Sequence, residues 1–112
     1  MSAAALKQRL RADLKAAMQA RVTGEVGVLR ALIAALDNAE AVPTEGYRPR
    51  ALGASPGDVA RRQLDGKMVA ALLADEVEAR LAAAADYERH GRSADADRLR
   101  SEVAIVSHYA GL

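Results

Sequence analysis

The sequence predicts an all-α domain: four main helices, with room for one short extra helix, packed as a small bundle around the helix at about residues 24–41. Three observations carry that expectation. Hydrophobic residues make up 51% of the chain, yet there is no Phe, no Trp and only three Tyr. Alanine, the best helix former, supplies much of that figure, and β-branched residues are few. Apolar residues recur at spacings of three and four in separate stretches, and capping residues sit at their edges. With 112 residues, the chain reads as one domain, 1–112, large enough for a real core. That core must be built of Leu, Val, Ile, Met and Ala, whose small side chains let helices approach closely.

The first helix is expected over about Ser2 to Ala20, with Ser2 as N-cap. Leu6, Leu10, Leu14 and Met18 form its stripe, with Ala3 and Ala17 beside them. Lys7, Arg9, Arg11 and Lys15 fall mostly off the stripe. The helix is basic and one-sided but lacks the aromatic residues that anchor helices on membrane surfaces, so it is read as laid on a core. Arg21-Val22-Thr23-Gly24 is the turn, and Thr23 is the expected N-cap of the second helix. In that helix Val26, Leu29, Ile33 and Leu36 make one stripe, which Val28 and Leu32 widen. The polar line is Arg30, Ala34 and Asp37. A helix apolar over most of its circumference is expected at the centre; it is too short and too charged to span a bilayer. Gly24 and Gly27 cost about 1 kcal/mol each relative to alanine, and close approach to the first helix is the expected compensation.

From about 42 to 57 the composition changes. All three prolines, Pro43, Pro49 and Pro56, lie here with Gly46, Gly53 and Gly57, which predicts a flexible connecting loop. Tyr47, Arg48 and Arg50 could stack on bases and meet phosphate there, although a plain connection explains them as well. Ser55-Pro56-Gly57-Asp58 is a helix-start signal for a short helix through Gln63. Asp65 is then the expected cap of a long third helix from about Gly66 to His90, with Val69, Leu72, Leu73, Val77 and Leu81 as its stripe and Gly91 ending it. Ser93 is the expected cap of the fourth helix, with Asp95 and Asp97 in its first turn. Ala96, Leu99, Val103, Val106 and Ala110 face its core side, with Ile105 and Tyr109 flanking.

Net charge is +1, which gives no global footprint for nucleic acid. The distribution is uneven: within residues 1–22, Lys7, Arg9, Arg11, Lys15 and Arg21 face the single acid Asp13. The candidate nucleic-acid-binding set is therefore Lys7, Arg9, Arg11 and Lys15, joined by Arg30, a guanidinium on a mostly apolar helix that must pair or reach a groove. Asp37 and Glu40 are the expected partners of an ion network with Arg30 or Lys15. There is no cysteine, hence no disulfide framework and no thiolate metal site. His90 and His108 sit at helix ends without an i, i+4 partner, which suits the helix dipole better than a metal. No nucleotide-binding or hydrolase motif occurs. No catalytic residue, metal site or cofactor is expected, and the start lacks a signal peptide, so the expected location is the cytoplasm.

Leu10, Asp13, Leu14, Lys15, Ala16, Ala17 and Met18, then Leu29-Arg30-Ala31-Leu32-Ile33-Ala34-Ala35-Leu36 and Asn38-Ala39-Glu40, resemble the YqeY-like family, which is related to the C-terminal tail of the B subunit of the aspartyl/glutamyl-tRNA amidotransferase. The similarity continues through Glu76, Arg80, Tyr87, Gly91-Arg92, Ala96-Asp97 and Glu102 to Tyr109, and covers nearly the whole chain outside about residues 41–63. The resemblance implies a non-catalytic accessory module, with tRNA, an amidotransferase or another translation component as partner. A protein-interaction or self-associating module, a homo-oligomer included, is the alternative. Kinship alone implies a third reading, a glutamine-dependent carbon–nitrogen ligase. Family members run on from the Tyr109 position through Leu-Pro into a second helical subdomain, with which tRNA contact is mainly associated. Here Tyr109 is followed by Ala110-Gly111-Leu112, as in a short form, and the Pro/Gly-rich connection is longer than the family's usual one.

Overall fold

A computed structural model of the chain describes residues 1–41 and 62–111. Four helices follow in order: α1 (Ala3–Ala20), α2 (Thr23–Ala41), α3 (Gly66–Arg89) and α4 (Ser93–Ala110). The all-α bundle expected from the sequence is what forms. The predicted loop at 42–57 and most of the predicted short helix lie outside the described residues, and 62–65 have no regular structure. The chain resumes where it left off, since Arg62 N–H donates to Glu40 O at 2.7 Å.

The helices pair as two antiparallel hairpins, α1 with α2 and α3 with α4, and α2 also packs against both α3 and α4. The core gathers Leu6 and Leu10 of α1, Leu29, Leu32 and Leu36 of α2, Val69 and Leu73 of α3, and Val106 and Tyr109 of α4. It uses the first half of α3 and the last half of α4. The rest of the α3/α4 hairpin extends past it, closed by Ala84 and Ala96, which are buried but stand outside that cluster. Helix α2 is thus central in its contacts but not enclosed: Arg30, Ala31, Ala34 and Asn38 face solvent. Four helices in two hairpins leave its outer face uncovered, and the sequence places small and polar residues there.

Two expected core residues are exposed for one reason. Met18 and Leu81 are each 49% exposed. Both end a run of apolar residues spaced by four: Leu6, Leu10, Leu14, Met18 in α1, and Val69, Leu73, Val77, Leu81 in α3. Each four-residue step rotates the side chain by about 40° past a full turn, so three steps carry it roughly 120° off the core direction. Ala17 and Ala84 occupy the inward positions instead, both buried.

The termini follow local chemistry. Ser2 Oγ accepts from Ala5 N–H at 3.1 Å, and Asp65 Oδ1 from Met68 N–H at 2.8 Å, both as N-caps. Thr23 and Ser93 do not cap. Each is already the first helical residue: Val26 N–H donates to Val22 O, Ala96 N–H to Arg92 O, and α4 has no side-chain cap. Helix α3 ends in a Schellman motif, with Gly91 at φ 72°, its N–H on Glu88 O and Arg92 N–H on Tyr87 O. Arg92 lies 5.1 Å from the centre of the Tyr87 ring. The end of α1 has the same bonds, Arg21 N–H to Met18 O and Val22 N–H to Ala17 O, but the left-handed residue is Arg21, at φ 59°. The glycines nearby do other work: a Cβ at Gly24 or Gly27 would meet nothing within 4 Å, so neither permits the close helix approach expected of it.

Candidate functional site

Helical geometry sorts the five basic candidates. Lys7, Arg11, Lys15 and Met18 recur at four, four and three, and so share one side of α1. That side faces the outer flank of α2, because Arg30 Nη2 lies 3.8 Å from Met18 Sδ. Lys7 is tied down: its Nζ meets Asp37 Oδ1 at 3.2 Å and Glu40 Oε1 at 2.5 Å, and its side chain is 14% exposed. Its pKa is raised, chiefly by the hydrogen bond to Glu40. The expected ion network of Asp37 and Glu40 therefore exists, with Lys7 in place of Arg30 or Lys15. Arg11, Lys15 and Arg30 are exposed, and none meets a carboxylate among the described residues. These three make a basic edge along the α1/α2 hairpin.

Arg9 lies on the other flank of α1. Its Nη2 donates to His108 Nε2 at 3.0 Å, and its guanidinium carbon lies 5.0 Å from the centre of the Tyr109 ring. Asp13, one turn on, accepts from Tyr109 Oη at 2.6 Å. Arg9 and Asp13 together fasten α1 to α4. Tyr109 is buried, and its phenol is pushed up from its ordinary value, first by desolvation and then by the neighbouring Asp13 carboxylate. Tyr109 was placed by sequence at the side of its helix; the signal for the pairing was Asp13 itself, the one acid in a basic helix.

Beside that fastening, a groove of about 560 Å³ runs between α1, the start of α2 and the last turns of α4. Its floor is small and apolar, with Ala16, Ala17, Ala20, Leu29 and Ile105. Its charged walls are Asp13 and Glu25, with His108 at the rim. No Lys or Arg lines it, in a chain that has 16 of them.

On the α3/α4 hairpin the polar residues form a ladder of alternating sign. Arg80 meets Glu76 at 2.9 Å and Glu102 at 3.1 Å, Arg98 meets Glu102 and Asp95, and Arg92 meets Asp95. His90 Nδ1 donates to Asp86 O at 2.7 Å, a helix-end role. Among the described residues no group of three or more His, Asp or Glu side chains could hold a metal ion. None of the described helices is long and apolar enough to cross a membrane.

A family model described as Yqey-like protein matches residues 7–111. Comparison with curated proteins finds no match, and neither does comparison with solved structures.

Proposed function

This chain belongs to the YqeY-like family, and on that premise we propose that it serves translation as a non-catalytic accessory module, akin to the amidotransferase tail, that holds tRNA by its phosphates. The carrying observation is the basic edge. Lys7 and Arg9 are committed to Asp37, Glu40 and His108, whereas Arg11, Lys15 and Arg30 stand exposed on one side of a single hairpin. A guanidinium or ammonium without a carboxylate partner keeps its charge free to displace counterions from a phosphate backbone. Such contacts position a nucleic acid without reading its sequence. The role places the protein in the cytoplasm with its tRNA partner.

Fluorescence anisotropy with labelled total tRNA tests this reading. The triple variant Arg11→Glu, Lys15→Glu, Arg30→Glu is expected to weaken binding more than about tenfold and to flatten the log–log salt dependence by about two to three. Lys67→Glu, on an exposed residue of α3, is expected to change little. No binding at low salt, or binding indifferent to the triple variant, overturns the proposal.

The ligase reading rests on kinship alone. The sequence contains no cysteine, so a thiolate glutaminase has no nucleophile here.

A further inference from the structure

From the groove between α1, α2 and α4 we infer a docking site for a basic amphipathic helix of a partner protein. The inference stands apart from the tRNA reading, because the groove lies on the flank of α1 opposite the basic edge. Three properties select the occupant.

Its charge comes first. Asp13 and Glu25 are the only Asp, Glu, Lys or Arg residues in its lining. Asp13 Oδ2 accepts from the Tyr109 hydroxyl, and Oδ1 has no hydrogen-bond partner among the described residues; Glu25 is exposed and pairs with no described residue. Its negative charge suits the first turn of α2, and that role leaves its outer oxygens unused. The Arg9 guanidinium stands at the His108 and Tyr109 end, so an occupant with Lys or Arg on its flank meets complementary charge at the Glu25 end.

The second property is the floor. Ala16, Ala17 and Ala20 on α1 and Ala104 on α4 leave a channel between larger neighbours, Val22 and Ile105. A ridge of Leu or Met side chains at helical spacing fits such a channel.

Backbone satisfaction is the third. The groove is walled mainly by the sides of helices, whose N–H and C=O groups are bonded within them, apart from the first turn of α2. It therefore presents no strand edge for an extended peptide to pair with, which favours an occupant whose backbone bonds are closed internally, as in a helix. With tRNA on one flank of α1 and a protein helix on the other, the module acts as an adaptor.

The test uses a designed Leu/Ala/Lys amphipathic peptide of about five turns, a Leu/Ala/Glu peptide of the same pattern, and the full chain. Amide NMR of the labelled protein is expected to shift at Asp13, Ala16, Ala20, Glu25 and Ile105 with the lysine peptide and to stay unchanged with the glutamate peptide. Glu25→Lys, and separately Ala104→Leu, both at exposed positions, are expected to weaken the lysine peptide about tenfold or more. The triple variant of the basic edge is expected to leave peptide binding intact, so failure here and failure of the tRNA reading are told apart. Equal binding of both peptides, shifts confined to other surfaces, or indifference to both variants overturns the inference. So does sedimentation showing a dimer of the chain alone that Ala104→Leu dissolves, which would assign the groove to a second copy.

Discussion

Tyr109 and Asp13, ninety-six positions apart in the sequence, are joined by a 2.6 Å hydrogen bond that ties the last turn of α4 to the middle of α1. The phenol donates and the carboxylate accepts, in a spot where Tyr109 is 8% exposed. Arg9 lies over the same ring and bonds the neighbouring His108, so four side chains close the two hairpins on each other.

Replacing Tyr109 with Phe keeps the ring and deletes the donor. Asp13 is then left half-buried without its described partner, which is expected to cost about 1–3 kcal/mol. Urea unfolding followed by circular dichroism measures it. An unchanged midpoint would show that water replaces the phenol at no cost.

Alkali is expected to weaken the fold from about pH 10 upward. Tyr109 and Lys7 both have raised folded-state pKa values, from ordinary values of 10.0 and 10.5. Above those values the unfolded chain has lost protons that the folded chain still holds, so stability falls as pH rises. Below about pH 9.5 both groups are protonated in either state, and their stabilisation is fully present. Thermal melts between pH 8 and 11 should show a plateau followed by a decline. The decline should be shallower in Tyr109→Phe.

Leu32→Ala is expected to cost about 2–5 kcal/mol, since Leu32 is wholly buried on α2. Leu29→Ala belongs in the same range, and Ile33→Ala below it, because Ile33 is only half-buried. Met18→Ala and Leu81→Ala should each stay within about 0.5 kcal/mol. Chemical denaturation of the five variants ranks them. A large loss at Met18 or Leu81 would contradict the rotation that takes them off the core.

Arg21→Gly is expected to stabilise the protein by about 1 kcal/mol. Arg21 holds φ 59°, where an L side chain costs roughly 1–2 kcal/mol that glycine avoids, partly offset by glycine's greater freedom when unfolded. The midpoint of unfolding should rise; a fall would mean that the Arg21 side chain makes a compensating contact.

Much of the fold could be read from the residues, because spacing by three and four reports directly on helix faces. Ser2, Asp65 and Gly91 announced their helix ends correctly, each through a side chain or backbone freedom that acts within a few residues. Thr23 and Ser93 have the right side chains one position too late, since several polar residues near a turn can each serve and packing decides among them. The ion network was half legible: Asp37 and Glu40 were recognisable as acids needing a cation. That the cation is Lys7 depends on the antiparallel register of α1 and α2, which no local pattern encodes. The groove was not legible at all. Asp13, Glu25 and Ile105 come from three helices, and only the packed hairpins bring them to one place.

The bond from Arg62 N–H to Glu40 O has a consequence for protein engineering. Glu40 and Arg62, 22 positions apart in the sequence, are neighbours in the bundle. In general, each doubling of a connecting loop's length costs only about 0.6 kcal/mol, so a redesigned link between these two points is expected to change stability little. A fluorescent reporter or affinity tag carried by such a link should leave the four helices in register.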